Sequence, residues 1–470
     1  MEYSELNPKE VWKFFKELSD IPRCSGDEKA ISDYLVNFAK ERNLEVRQDE
    51  ALNVVMKKKA SAGYESKDTI ALQAHMDMVC VKEDDSDHDF SKNPIKLLVD
   101  GNWVTADKTT LGADDGMGLA FILAVFDDDS LEHGPLEAIV TTGEETAMVG
   151  ANALDASDIN AKYLINIDSE EEASLTIGCA GGLDLEISFD KEYEEAKGDF
   201  IKVDLRGFEG GHSGMEIDKA RINAIQTLAR LLVDIDGLQI AEINGGIKRN
   251  AIASTAYAIA SVADSKSAIE EISKRKEDIL NESKDTDPNG QITIEETTYQ
   301  GKVIRQKISQ NLVDCIFTLP NGLYKKYQGE IITSSNLGIL EDREDEIRLC
   351  SMIRSQIDSA KFNRAAIATK IVEKFGARAK SERPYTGWQR EETKLVDIAN
   401  DIWKEQNGSE MEIGTTHGGL ECGLFKGVMP NVEMISIGPE IKGAHSPVER
   451  VNIKSVENNY KLIKELLKRI

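Results

Sequence analysis

Three short apolar runs in this chain each read as a strand that stops on a residue able to ligate a metal ion. They are Ile70–Ala74 before His75, Ala138–Thr142 before Glu144 and Glu145, and Tyr163–Ile167 before Asp168. Amphipathic helices surround them. Val11, Phe14, Phe15 and Leu18 share one face after Pro8, placed as a first helical residue with Asn7 as its cap, and Ile31, Leu35 and Phe38 share another. Asn53–Met56 adds a strand and Gly116–Phe126 a helix, and the pattern returns with a strand at Val432–Ile437 and a helix that turns Val456, Ile463 and Leu467 inward. Such alternation implies an α/β fold, with a mostly parallel central sheet flanked by helices. In sheets of that kind ligands gather beyond the carboxyl ends of the strands, where the three polar stops arrive.

At 470 residues the chain is too long for one compact core. From about Phe200 to Tyr385 the rhythm shortens. Ile201, Val203 and Leu205 mark a strand, Ile222, Ile225, Leu228 and Leu232 a helix, Ala253–Ala260 a strand, and Ser265–Lys284 a charged, solvent-covered helix. After the loop Asp285–Gly290 a comparable set recurs, with a helix at Ala360–Phe375. The expected organisation is a discontinuous catalytic domain, 1–190 and 387–470, interrupted by an inserted α+β domain, 191–386, internally doubled as the recurring set implies.

A net charge of −27 argues against nucleic acid and anionic membranes as partners, because both need a cationic face. No stretch approaches a membrane span. Met1–Glu5 lacks the basic start and apolar run of a signal peptide. The six cysteines show no CxxC pairs, so free thiols, no structural zinc on Cys and a cytoplasmic address are expected.

In His75-Met76-Asp77 the two polar side chains fall on one side of an extended segment. A carboxylate placed there can take a hydrogen bond from the second ring nitrogen of a ligand histidine. Asp114, with Asp115 as its competitor, lies in the Gly-rich turn Leu111–Gly116 ahead of a helix and could bridge two cations. Glu144-Glu145 puts two carboxylates where they repel unless a metal or a shared proton relieves them; one can bind metal while its neighbour takes a proton from water. Taken singly, these features read as a polar pair at a strand end, an acidic helix cap and a solvated acidic loop. Of six histidines, His75, His212, His417 and His445 sit in Gly- or Pro-containing loops, whereas His88 and His133 lie in acidic, exposed-looking stretches.

His75-Met76-Asp77-Met78-Val79, Leu111–Gly116, Asp168-Ser169-Glu170-Glu171-Glu172 and Gly418-Gly419-Leu420-Glu421-Cys422-Gly423, with the late His445, come in an order that resembles the di-zinc peptidase superfamily of aminoacylases, glutamate carboxypeptidases and cytosolic dipeptidases. Within it the chain looks like the aminoacyl-histidine (Xaa-His) dipeptidase branch, over essentially its whole length. The resemblance implies a zinc-peptidase fold with the inserted domain as a lid, and metal-dependent hydrolysis of dipeptides. An aminotripeptidase, an N-acyl amino acid deacylase and a catalytically silent peptide-binding protein stand as the alternatives. It implies two divalent ions, Zn²⁺ first with Mn²⁺ or Co²⁺ as substitutes. Asp114 would bridge them, His75 and Asp168 would hold one, and Glu145 and His445 the other. Glu144 becomes the general base and Asp77 the orienter of His75. His212 would stabilise the oxyanion from the lid, by domain closure or from a second copy in a homodimer. Arg354 would bind the substrate carboxylate, with Asn250, His417 and Glu421 as further pocket residues. Cys80 departs from the resemblance, standing where relatives often carry Pro.

Overall fold

The computed structural model of the chain describes residues 2–470. Two compact units are formed. One comprises the chain up to Gly178 with Arg390–Thr415 and Leu420–Ile470, and the other Cys179–Gln389 with Thr416–Gly419.

In the first unit, α1 (Lys9–Ser19) buries Val11, Trp12, Phe14, Phe15 and Leu18, and α2 (Lys29–Glu41) buries Ile31, Leu35 and Phe38. Pro8 is the cap of α1 and not its first helical residue, because its backbone is extended (ψ 133°). An eight-stranded sheet contains β1 (Glu45–Gln48), β2 (Val54–Lys58), β3 (Ile70–His75), β4 (Leu136–Thr141), β5 (Tyr163–Asn166), β6 (Ser174–Cys179), β7 (Glu412–Thr416) and β8 (Glu433–Ser436), in the order β1-β2-β4-β3-β5-β8-β6-β7. Its middle is parallel: β3 pairs with β4 and β5, and β8 with β5. The pairs β1/β2, β2/β4 and β8/β6 are antiparallel. Every residue of β3, β4 and β5 is buried, as a sheet covered on both faces requires.

Helix α3 (Ala113–Asp127) is apolar around its whole circumference and buried from Gly116 to Phe126, so it belongs to the interior. Its first turn carries Asp114 and Asp115 in non-helical conformations, joined by a cis peptide bond. Gly118 makes room for that turn, since a Cβ there would collide with the Asp115 carboxylate and the Ile167 carbonyl. Glu144 and Glu145 open the short helix α4 (Glu144–Ala147) just beyond β4. A smaller antiparallel sheet of Leu97–Asp100, Trp103–Ala106, Ile441–Lys442 and Arg450–Asn452 pairs Val451 with Val104. It seats the segment around His445 beside the one leading to Asp114. Helix α5 (Ile453–Arg469) follows, with Val456, Ile463 and Leu467 buried.

The second unit is built on an antiparallel sheet of nine strands in two halves. Gln291–Thr297, Asp199–Arg206, Ala256–Val262 and Gln239–Gly245 form one half. Glu330–Asp342, Glu346–Ser355, Gly181–Asp190 and Arg378–Tyr385 form the other, with Gly322–Tyr327 added to Glu330–Asp342. The halves meet where Gly245 pairs with Leu340. Leu228, Ile272, Leu312 and Ala368, from four helices, share its core. This unit begins at Cys179, ahead of the expected residue 191, because Gly181–Asp190 is paired on both sides within its sheet.

Two further features differ from the sequence reading. Cys24 and Cys80 form a disulfide (Cα–Cα 5.6 Å) where free thiols are expected. A bridge between Cys24 and Met78 lays their segments side by side, a neighbourhood that a separation of 56 residues does not reveal. The other four cysteines are free and buried. His133 is buried as well, its Nδ1 2.7 Å from the Gly134 carbonyl oxygen. Among the described residues no helix is long and apolar enough to cross a membrane.

Candidate metal centre

The carboxyl ends of β3, β4 and β5 deliver His75, the α4 glutamates and Asp168 to one place, and α3 and the Gly443–His445 turn supply the rest. His75 Nε2 lies 3.1 Å from Asp114 Oδ1 and 3.4 Å from Asp168 Oδ1. His445 Nε2 lies 3.0 Å from Asp114 Oδ2 and 2.8 Å from Glu145 Oε1. Each trio offers donor atoms within 4.8 Å of one another, and Asp114 belongs to both through different oxygens. Two imidazoles and three carboxylates are a donor set that suits divalent cations accepting nitrogen and oxygen. Asp115, the competing candidate, turns away: its carboxylate accepts the N–H of His75 (3.3 Å) and of Gly118 (3.1 Å). His445 takes a left-handed backbone (φ 62°), a conformation unusual for a side-chain-bearing residue and found where function demands it.

Positive charge is what this cluster lacks. Hydrogen bonds to Asp114 and Glu145 push the His445 imidazole up to about 11, and burial pushes Asp168 up to about 6. Burial works against ionisation of Asp114, yet hydrogen bonds from His445 and His75 hold its carboxyl below the usual range. Burial, with the Asp168, Glu421 and Glu145 carboxylates, pushes Glu144 well above it. Asp77, wholly buried, ties the start of α4 to the His75 ring. It accepts the N–H groups of Glu144 (3.1 Å) and Glu145 (3.4 Å) and the Ser25 hydroxyl (2.7 Å). His75 Nδ1 is nearer the Asp77 carbonyl oxygen (3.1 Å) than its carboxylate (3.4 Å), so backbone and side chain both face the ring.

Residues 71–469 match peptidase family M20/M25/M40. The chain belongs to this family. The cytosol non-specific dipeptidase of Escherichia coli (strain K12) is 36% identical over 481 residues, covering 100% of this M20 peptidase and 99% of the relative. The crystal structure of aminoacylhistidine dipeptidase from Vibrio alginolyticus matches with a TM-score of 0.92 at 35% identity, over 100% of this chain and 98% of that one. Aminopeptidase PepT from Bacillus cereus, at 17% identity and a TM-score of 0.57 over 98% of each chain, shares the fold alone. The α/β architecture that the strand–helix alternation implies is thus the M20 peptidase fold, and the chain is a hydrolase.

The remaining candidates of this M20 peptidase divide between its units. His212, Asn250, Arg354 and His417 lie in the second. The Ser213 N–H donates to the Asn250 carbonyl (2.8 Å), and Gly214 fits between the His212 ring and the His417 carbonyl. His417 Nε2 pairs with the Ser334 hydroxyl at 2.7 Å; burial, with the Arg354 charge nearby, pushes its imidazole down to about 3. Arg354, buried, donates to the Tyr385 hydroxyl at 3.1 Å. Glu421 is not an open pocket residue. It is fully buried in the first unit, accepting from Gln73 and from the Thr141 hydroxyl (2.7 Å) beneath the strand ends. Sequence reasoning passed over Ser25, Tyr385, Arg23 and Glu449. Their only signals are a charged residue in Pro22-Arg23-Cys24 and another shortly after His445.

Proposed function

We propose that this M20 peptidase is a dipeptidase working with two divalent cations. The observation that carries the reading is the Asp114 carboxylate, whose two oxygens are divided between a His75–Asp168 group and a Glu145–His445 group. In this reading those trios hold one cation each, with zinc the preferred ion and manganese or cobalt able to use the same donors. Bound there, such ions lower the pKa of water and polarise a carbonyl group. Glu144, whose carboxyl is raised by burial above the usual carboxylate range, takes the proton from the attacking water and passes it to the leaving amine. Asp77 faces the His75 ring with its carbonyl and carboxylate and holds the α4 backbone with its carboxylate, so one residue aims both ligand and base. His212 is the candidate for stabilising the carbonyl oxygen as it gains charge, by domain closure or from a second copy, and Arg354, Asn250 and His417 are the candidates for binding the free carboxylate of a short peptide. Both full-length relatives carry dipeptidase names, which supports dipeptides as the substrate class. The name of the bacterial relative supports a cytosolic location.

The deciding assay offers β-Ala-His, Leu-Gly, Leu-Gly-Gly and N-acetyl-Met to metal-stripped protein, with and without Zn²⁺, Mn²⁺ or Co²⁺. Metal-dependent cleavage confined to the dipeptides is expected. Cleavage of the tripeptide or the acyl amino acid alone would overturn the substrate class, and inactivity with every metal would overturn the enzyme reading.

A further inference from the structure

The segment that presents Asp114 hangs between two buried charged side chains from distant parts of the chain. On one side is Glu449, 2% exposed. Its Oε2 accepts the N–H groups of Leu111 (2.7 Å) and Gly112 (2.9 Å), and its Oε1 those of Ala113 (2.7 Å) and Asp114 (3.3 Å). On the other side is Arg23, also 2% exposed. Its guanidinium donates to the Gly112 carbonyl, and through Nη1 to the carbonyls of Met76 and Asp77, both at 3.2 Å. Gly112 is therefore held on both sides, its N–H by Glu449 and its C=O by Arg23. Gly112 also has a left-handed backbone (φ 69°), and a Cβ there would run into the Arg23 guanidinium and the Met78 thioether.

These contacts join three ligand-bearing segments. Arg23 ties the turn after His75 to the turn before Asp114. Glu449, which follows His445 by one turn closed from the Glu449 N–H to the Ser446 carbonyl (3.0 Å), ties the His445 segment to the same turn. We propose that Arg23 and Glu449 are positioning residues that set the separation of the two cation-holding groups by clamping the backbone of Leu111–Asp114. The inference rests on the two-cation reading above and extends it to residues that touch neither cation nor substrate.

The physical case is one of valence and shape. A carboxylate has acceptor sites enough for four N–H groups, and every hydrogen bond to it is charge-assisted. A glutamine of the same size must turn its NH₂ toward one of the two N–H pairs, exchanging two acceptances for donor-against-donor contact. The planar guanidinium reaches carbonyls of two separate segments at once, which the single point charge of lysine cannot reproduce. A bridging carboxylate displaced by even about 1 Å can cost on the order of 10²-fold in rate.

The test compares the parent with Glu449→Gln and Arg23→Lys as full-length proteins. Metal content and affinity are read by chelator competition, kcat and KM on a dipeptide at saturating Zn²⁺, and unfolding of the metal-free forms by circular dichroism. Expected for both variants are a metal affinity about 10- to 100-fold weaker, a kcat that stays depressed about 10- to 100-fold at saturating metal, and a KM within about twofold of the parent. Parent-like affinity and kcat at saturating metal would overturn the proposal, even if metal-free stability falls, because a merely structural role predicts that pattern. Should Glu449→Gln not accumulate as folded protein, Arg23→Lys, which keeps a cation in place, decides by the same readouts. A parent that binds no metal would instead overturn the underlying two-cation reading, so the two failures are distinguishable.

Discussion

Glu144 and Glu145 are chain neighbours with opposite assignments, and the geometry separates them: Glu145 Oε1 faces His445 at 2.8 Å, while burial, with the carboxylates around it, raises Glu144. Glu144→Gln is expected to retain the parent's metal content while kcat falls about 10²- to 10⁴-fold. Turnover near the parent's would remove Glu144 as the base. The adjacency was legible in the residues and the family resemblance paired Glu145 with His445; the residue types alone did not tell the two apart, because α4 turns successive side chains in different directions. Glu421 offers a second test. Burial pushes it from 4.5 to about 7, so between these values the folded chain keeps a proton that the unfolded chain has released. Its contribution to stability is full below pH 4.5 and is lost as pH rises through about 7. In metal-free protein, Glu421→Gln should flatten the decline of the urea midpoint across that window. An unchanged slope would show that Glu421 does not titrate there.

At the scale of elements, the apolar runs placed β3, β4 and β5 nearly where they stand, because an uncharged run between turns has few ways to be buried. The entry to α3 was harder to read. Leu111–Gly116 resembles an ordinary capped helix start, yet Asp114 and Asp115 leave helical geometry, and the cramped space at Gly118 is a property of the packed state. Gly118→Ala is expected to lower unfolding stability by about 1–3 kcal/mol and to weaken metal binding with it, since the added methyl displaces the Asp115 carboxylate. Thermal melts and metal titration of the variant check both; unchanged values would mean that the turn relaxes freely. The disulfide was invisible in the spacing of the cysteines. Replacing Cys24 and Cys80 by serine should cost about 2–4 kcal/mol, the range for closing a loop of this kind. Denaturant unfolding under non-reducing conditions reads it, and a parent-like midpoint would show that the link adds no stability.

For the whole molecule, the acidic centre couples folding to metal. Three carboxylates of the candidate ligand set and Glu144 stand against two imidazoles, so a cation that binds the folded chain and not the unfolded one must stabilise it. Adding Zn²⁺ to stripped protein at about a thousandfold its dissociation constant should raise stability by about 4 kcal/mol. A melting temperature indifferent to chelator and to added metal would count against the two-cation reading. By itself the sequence determined the fold class and the kinds of residue at the sheet's carboxyl end, because periodicity and burial are local properties written every two to four residues. Only the tertiary structure decided the rest. The Asp115 carboxylate turned onto the His75 N–H, Cys24 joined to Cys80, and Gly112 gripped by Arg23 and Glu449 are contacts across separations of 40 to 337 residues. Such contacts follow from strand order and from which loops pack together, and no local pattern encodes either.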